Sequence, residues 1–177
     1  MKIWLLSLYA EINFKIINMK IAIIYASKHG TTEKVSCSIA DKLMETNEVK
    51  LFSLKENTNP DISGFDTVIL GSSIYAGQAS GKMKSFCKAN ETVLLQKKTG
   101  LFVCGMHLDK EQREKELNEA YPDALLKNSV ATGFLGGEFL FEKMNFFERM
   151  IIKKIAKTKS SVHQIDWNAI DDFVKKL

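Results

Sequence analysis

Short apolar, β-branched runs alternate with helix-like runs along most of this 177-residue chain, and few folds accept such an order. We predict strands at residues 20–26, 49–54, 66–72, 99–105 and 129–137. The early runs are apolar at almost every position, which is typical of strands covered on both faces of a parallel sheet. The pattern therefore predicts an α/β protein with helices on both faces of a five-stranded parallel sheet.

The helical runs have apolar faces and start signals of their own. Asp109 with Gln112 resembles a capping box at the start of a charged surface helix, and Asp166 precedes the last helix. The residues predicted to face the core are Val35, Ile39 and Leu43 in the first helix, Met83, Phe86 and Cys87 in the second, which Ser80 opens, and Trp167, Ile170, Phe173, Val174 and Leu177 in the last.

Residues 1–18 precede a second Met-Lys pair and contain an apolar run of only eight residues, which is too short to span a bilayer. We predict that translation naturally starts at Met19 and that 1–18 lie outside the fold; an amphipathic membrane foot and a signal peptide are the alternatives. Residues 19–177 then form one domain, whose segment 138–165 is an insertion between the fifth strand and the last helix.

The composition limits the kinds of site and partner that we expect for this chain. The chain has three cysteines, Cys37, Cys87 and Cys104, an odd number, and each lies among apolar residues in the sequence. This favours reduced thiols in the core of a cytosolic protein over a disulfide framework. The histidines have no metal-ligand spacing, so we predict no metal site. A net charge of +4 is too small to indicate nucleic-acid binding, and we predict no nucleic-acid partner.

Two loops rich in small and hydroxyl residues follow the first and third predicted strands, namely the first loop, residues 27–32, and the second loop, residues 72–80. In an open parallel sheet these loops meet at a crevice where the winding direction reverses. Hydroxyl groups, a helix N-terminus and the close approach that Gly30 permits favour a bound phosphate there. An ordinary turn with a helix cap is the alternative, and no Walker or dinucleotide glycine pattern is present.

Ser27, Gly30 and Thr32 match the phosphate-loop motif Thr/Ser-x-Thr/Ser-Gly-x-Thr, and the chain here resembles the flavodoxin family. The resemblance implies a three-layer sandwich with strand order 2-1-3-4-5 and FMN at the switch point. His29 departs from the motif and removes one hydroxyl donor, and Ser36 stands where the longer signature has Ala.

The resemblance also implies that the second loop and the third loop, residues 104–109, bracket the flavin ring. Tyr75 would stack on the ring, Gly77 would permit a peptide rearrangement on reduction, and His107 would lie near the pyrimidine edge; ordinary core or surface roles are the alternatives. The residues predicted to contact FMN are Ser27, Lys28, His29, Gly30, Thr31 and Thr32, then Ser73, Ile74, Tyr75, Ala76 and Gly77, then Cys104, Gly105, Met106, His107 and Asp109.

The insertion, residues 138–165, combines an apolar stripe with uncompensated basic charge. The stripe comprises Leu140, Met144, Phe147, Met150, Ile151 and Ile155, and the basic residues are Arg149, Lys153, Lys154, Lys157 and Lys159. A helix of this kind suits a membrane surface, a partner or a hydrophobic substrate, or it hides its stripe in the core.

NFFERMIIKKIAK and, after a polar stretch, IDWNAIDDF resemble the tail of the menaquinone-dependent protoporphyrinogen IX dehydrogenases. That resemblance implies an FMN-dependent oxidoreductase that takes electrons from a porphyrinogen or another small molecule and passes them to a quinone or a redox protein. It also implies a cytoplasmic protein, peripheral at the inner face of the cell membrane through 141–159. The alternatives are a small electron carrier, against which the basic charge counts, and a flavin-free adaptor. We assign no catalytic residue, because the flavin would carry the redox chemistry.

Overall fold

The computed structural model describes residues 19–107, 109–155 and 160–177. The predictions for residues 1–18 fall outside these ranges, as does Leu108 in the third loop.

A parallel sheet forms the centre of the described chain, and β1 lies inside it. Its strands are β1 (Lys20–Ala26), β2 (Glu48–Ser53), β3 (Thr67–Tyr75), β5 (Lys98–Cys104) and β6 (Ala131–Phe134). Their order is β2-β1-β3-β5-β6, all parallel, with a two-residue strand β4 (Gln78–Ala79) antiparallel to the end of β3. The predicted order 2-1-3-4-5 is confirmed.

Both faces of this sheet are covered, as the unbroken apolar run of β1 predicts. Ile21 and Ile23 belong to one buried hydrophobic cluster, whereas Ala22 and Ile24 belong to another. Successive side chains of a strand point to opposite faces, so β1 contributes to two cores. Central strands of this kind do not show the alternation of polar and apolar residues that marks a half-exposed strand.

The helices divide between these two cores and make the molecule a three-layer sandwich. They are α1 (Thr31–Leu43), α2 (Gly81–Leu94), α3 (Lys110–Ala120), α4 (Asp123–Asn128), α5 (Phe146–Ile155) and α6 (Trp167–Val174). Residues of α1 and α6 share one cluster with Ile21, and residues of α2, α3 and α4 share the other with Ala22.

Most sequence-based predictions for the helices are confirmed. Asp109 Oδ1 accepts the backbone N–H of Gln112 at 2.9 Å, and Asp166 Oδ1 accepts that of Ala169 at 2.9 Å. The predicted core residues of α1 and α2 are buried. Trp167 is the exception, because 49% of its surface is exposed at the start of α6.

Two of the three cysteines are core thiols, as predicted. Cys87 and Cys104 are buried, and burial raises the pKa of each to about 12. The prediction is wrong for Cys37, which is exposed on α1. Val35 and Ile39 on either side of it in sequence occupy the buried face of that helix, so Cys37 points elsewhere.

The fifth predicted strand, 129–137, is wrong at its C-terminal end. β6 stops at Phe134, and Gly136 starts a separate strand, β7 (Gly136–Phe139), which pairs antiparallel with β8 (Val162–Ile165). Gly136 has φ +74°, and a Cβ there would lie 2.0 Å from the carbonyl oxygen of Gln164. The left-handed backbone of this glycine therefore turns the chain out of the main sheet.

The insertion does not form one continuous helical stripe. A 3₁₀ turn (Phe141–Lys143) comes first, and α5 begins only at Phe146. Leu140 and Met144 are buried, whereas Phe147 is 75% exposed. The stripe is thus split between a buried anchor and an exposed helix face; the side chains of Ile151 and Ile155 lie outside the described residues.

Tyr121 connects the α3–α4 junction to the sheet and gives a first prediction. Its buried hydroxyl lies within hydrogen-bond distance of the main-chain oxygens of Leu70 and Phe102. Replacing Tyr121 with Phe should lower the free energy of unfolding by about 1 to 2 kcal/mol, because a buried acceptor loses its donor. Urea unfolding would measure this. Tyr25→Phe is the matched control, since the Tyr25 hydroxyl contacts only the side chains of Glu33, at 3.4 Å, and Ser53 among the described residues, and an equal loss in both variants would contradict the prediction.

Candidate functional site

A cleft open to solvent lies above the carboxyl ends of β1, β3 and β5. Its lining comprises Ser27, Lys28, His29, Thr31, Thr32, Ser73, Ile74, Tyr75, Cys104, Gly105 and Met106, together with Gly137, Glu138, Phe139 and Met144. The structure thus brings together residues of the first and second loops and of the third loop, which the flavodoxin resemblance implies, and β7 forms a fourth wall of the cleft.

Five of the predicted contact residues do not line this cleft. Gly30 forms the bend that starts α1, with φ +100°. Ala76 and Gly77 make the tip of the β3–β4 hairpin, both with positive φ. Asp109 caps α3, and His107 Nδ1 accepts the backbone N–H of Asp109 at 3.3 Å. The last two residues therefore organise the third loop from outside the cleft.

The first loop presents an open helix N-terminus. The N–H of Gly30 donates to Ser27 Oγ at 3.0 Å, and the first backbone bond of α1 runs from Lys34 to the Gly30 carbonyl. No side chain caps α1, in contrast to the aspartate caps of α3 and α6. The first-turn N–H groups, including those of Thr31 and Thr32, are left to bind an acceptor, and the helix dipole favours an anion there.

Thr32 adds a buried hydroxyl that makes no hydrogen bond of ordinary geometry. Its side chain is fully buried, it lines the cleft, and Oγ1 bonds no oxygen or nitrogen atom of the described residues. The Cys104 thiol, which burial holds neutral, approaches the Thr32 hydroxyl, and this contact acts to lower the thiol's pKa, but a thiol is only a weak hydrogen-bonding group. Buried polar atoms without partners are rare in native folds, so Thr32 marks a place where a ligand atom would be stabilised.

Charged and aromatic side chains connect the first loop to α5 and the second loop. Lys28 Nζ lies 2.8 Å from Glu148 Oε1 and 3.1 Å from the centroid of the Tyr75 ring. His29 Nε2 is 3.6 Å from the same carboxylate oxygen. The insertion therefore reaches the cleft through an acid that the linear sequence places more than a hundred residues away.

These contacts set the pKa values of the cluster. Burial lowers the pKa of His29, while the carboxylate of Glu148 and a hydrogen bond to the backbone of Lys143 act to raise it. The hydrogen bond from Lys28 lowers the pKa of Glu148. At neutral pH the first loop thus holds a charged Lys28–Glu148 pair beside an imidazole for which burial favours the neutral form.

Replacing Glu148 with Gln should lower the pKa of His29 further, because the substitution removes the carboxylate that opposes the effect of burial. A titration of the imidazole C–H signals by NMR would measure the shift. Glu114→Gln on the exposed side of α3 is the control and should leave the His29 titration unchanged. An unchanged or raised pKa of His29 in the Glu148 variant would contradict the contact.

Glu138 holds β7, the fourth wall of the cleft, in place. The Glu138 carboxylate, 3% exposed, bonds His163 Nδ1 at 2.6 Å and Lys34 Nζ at 3.1 Å, which ties β7 to β8 and α1. Burial acts to raise the pKa of Glu138, yet the hydrogen bonds from His163 and Lys34 hold it below its ordinary value. The acid is therefore a charged structural anchor at the cleft.

Main-chain contact joins this wall to the third loop. The N–H of Gly105 donates to the Gly136 carbonyl at 3.0 Å, and a Cβ on Gly137 would lie 2.6 Å from the Gly105 oxygen. Sequence reasoning missed this wall, since it assigned 136–137 to the fifth strand. The adjacent glycine pair was the available signal, because two glycines together often mark a close backbone approach.

Within 19–107, 109–155 and 160–177, no three His, Cys, Asp or Glu residues are grouped to hold a metal ion. No helix in the same ranges has the length and apolar character needed to cross a bilayer.

The sheet order and the cleft at its switch point define an open α/β protein of the doubly wound type. The flavodoxin domain family matches residues 22–173, and the chain belongs to that family. It is 20% identical over 171 residues to protoporphyrinogen IX dehydrogenase (quinone) of Escherichia coli K12, covering 90% of this chain and 94% of that protein. It is 23% identical to the protein of the same name from Leishmania major, and the match covers 87% of this chain and 72% of that protein. A flavodoxin from Streptococcus pneumoniae TIGR4 shares the fold with a TM-score of 0.57, at 18% identity over 89% of this chain and 97% of the other.

Proposed function

We propose that this chain is an FMN-dependent oxidoreductase whose cofactor lies in the cleft above β1, β3 and β5. The observation that carries the proposal is the buried, unpartnered hydroxyl of Thr32 beside the uncapped start of α1. Together they form a site in which a phosphate oxygen would satisfy donors that the protein leaves open. The residues present fit FMN at its phosphate end.

The side chains then take distinct roles. Ser27, Thr31 and Thr32 hold the phosphate, and the parts of the second and third loops that line the cleft, residues 73–75 and 104–106, bracket the ring. When bound, FMN supplies the electron-accepting chemistry, while the protein supplies orientation and electrostatics. Tyr75 offers an aromatic face at the cleft, and the apolar Ile74 and Met106 help to exclude water from it.

For the reaction itself we propose oxidation of a porphyrinogen, or of another small-molecule donor, with a quinone or a redox protein as acceptor. The names of the E. coli and Leishmania relatives support this, as does the sequence resemblance of the insertion. Phe146, Phe147 and Met150 are 71%, 75% and 55% exposed on α5, beside Arg149. An apolar face next to basic residues suits the surface of a membrane that holds a quinone, so we place the protein in the cytoplasm, peripheral at the inner face of the membrane through 141–159.

The test has two stages. The purified protein is mixed with FMN, separated from excess cofactor by gel filtration, and examined by absorbance; retained flavin bands are expected. The loaded protein should then oxidise protoporphyrinogen with a menaquinone analogue as acceptor. Retained FMN without turnover would favour a simple electron carrier, and absence of retained flavin would overturn the proposal in favour of an adaptor.

A further inference from the structure

The 3₁₀ turn Phe141–Lys143 places an ammonium group beside Gly30 of the first loop, at the edge of the cleft, which the neighbouring Met144 lines and Lys143 does not. Lys143 Nζ lies 3.0 Å from the position that a Cβ would occupy on Gly30. Gly30 is the residue that starts α1, and it has φ +100°. The cation therefore occupies the space beside the glycine that the absence of a side chain leaves open.

Buried neighbours hold this turn in place. Leu140 and Met144 flank it and are 7% and 5% exposed. The N–H of Lys143 donates to the Leu140 carbonyl at 2.9 Å, and the N–H of Phe141 donates to Ser161 Oγ at 3.0 Å. These contacts anchor the backbone of Lys143. Its side chain is exposed to solvent, so its ammonium group is accessible to a ligand.

The ion pairs around the first loop set Lys143 apart from the other basic groups. Glu148 engages both Lys28, at 2.8 Å, and His29, at 3.6 Å. Lys143 forms no ion pair with any carboxylate of the described residues. Of these three basic side chains, Lys143 is thus the one whose charge is not already neutralised by an acid in contact with it.

We propose that Lys143 is a phosphate-binding residue, so that the insertion completes the site formed by the first loop. This rests on the proposed function, because the phosphate in question is that of FMN. Two observations point to the anion independently of Lys143: the uncapped start of α1 and the fully buried, unpartnered Thr32 hydroxyl that lines the cleft. The lysine also makes up for the donor that the first loop lacks at His29.

Comparison of FMN with riboflavin isolates this contact, because the two share a ring and differ in the phosphate. Lys143→Gln should weaken FMN binding about 10-fold to 100-fold, the range expected for one charge-assisted hydrogen bond, and leave riboflavin binding within about 2-fold. Lys143→Arg keeps the charge and should retain most of the FMN affinity. Lys88→Gln, on the exposed side of α2, removes the same charge away from the site and should change neither affinity.

Quenching of flavin fluorescence would measure each dissociation constant, and circular dichroism would show that the variants are folded. If Lys143→Gln binds FMN as tightly as the parent, or loses FMN and riboflavin equally, Lys143 is not a phosphate ligand, although the proposed function stands. If the parent protein itself binds no FMN, the proposed function fails and this inference fails with it. These two failures are told apart by the parent titration alone.

Discussion

Replacing Thr32 with Glu should abolish flavin retention. Thr32 is fully buried and lines the cleft, so the longer acidic side chain would introduce negative charge beside the proposed phosphate. Two like charges about 4 Å apart repel by about 4 kcal/mol at an effective dielectric constant of 20, which corresponds to roughly a thousandfold loss of affinity. Titration with FMN, followed by gel filtration, would measure it.

A gentler variant separates this effect from misfolding. Thr32→Val keeps the shape and removes only the hydroxyl, so FMN binding should weaken about 10-fold while riboflavin binding is unchanged. The unliganded Val variant should be at least as stable as the parent, because a buried hydroxyl without a partner is removed. An unchanged FMN affinity in the folded Glu variant would refute the phosphate assignment.

Replacing Gly137 with Val should lower the free energy of unfolding by about 2 to 4 kcal/mol. The new Cβ would lie 2.6 Å from the Gly105 oxygen and 2.8 Å from its carbonyl carbon, both main-chain atoms that cannot rotate away. Overpacking costs about 1 to 3 kcal/mol, and separating the strands also breaks the Gly105–Gly136 hydrogen bond, worth about 1 kcal/mol.

The same change should weaken FMN binding, because β7 carries Glu138 and Phe139 into the cleft. Urea unfolding and FMN titration would be run in parallel. Gly64→Val is the matched control, since no atom lies within 4 Å of a Cβ built there, and it should change the free energy of unfolding by less than about 0.5 kcal/mol. Equal stability of the two variants would show that the close approach at Gly137 is not required.

The central sheet was predictable because its signals are local. The strand β1 was placed at residues 20–26 from its unbroken apolar run, and the structure has it at Lys20–Ala26. The helix cap at Asp109 was also predictable from the sequence, since the accepting carboxylate and the N–H that it binds are three residues apart. Each of these features depends on neighbours in sequence, which a single chain displays directly.

The end of β6 and the insertion were not predictable in the same way. The turn at Gly136 depends on the Gln164 carbonyl, and the buried charge of Glu138 depends on Lys34 and His163. Such contacts join segments far apart in sequence, and apolar periodicity carries no information about them. The apolar residues of 140–155 were predicted to form one helical stripe because their spacing fits a helix. Leu140 and Met144, at the start of the stripe, instead lie buried on either side of a 3₁₀ turn.

The candidate site also contains some residues that were predictable from the sequence and others that were not. The first and second loops were found from their residues and their places after the first and third strands, whereas the third loop followed from the flavodoxin resemblance. The contribution of Glu148 was missed, since the acid lies beyond the sheet and contacts Lys28 only in the folded chain.

The unequal exposure of the cysteines makes this protein convenient to label. Cys37 is exposed on α1, although desolvation and the nearby Glu33 and Asp41 raise its pKa. Cys87 and Cys104 are buried, and burial raises the pKa of each to about 12, far from the thiolate form that reacts with maleimides. A dye should therefore attach at a single position of the unaltered chain. Because α1 begins at the first loop, that dye would lie close enough to the cleft for energy transfer to report the arrival of a flavin in real time.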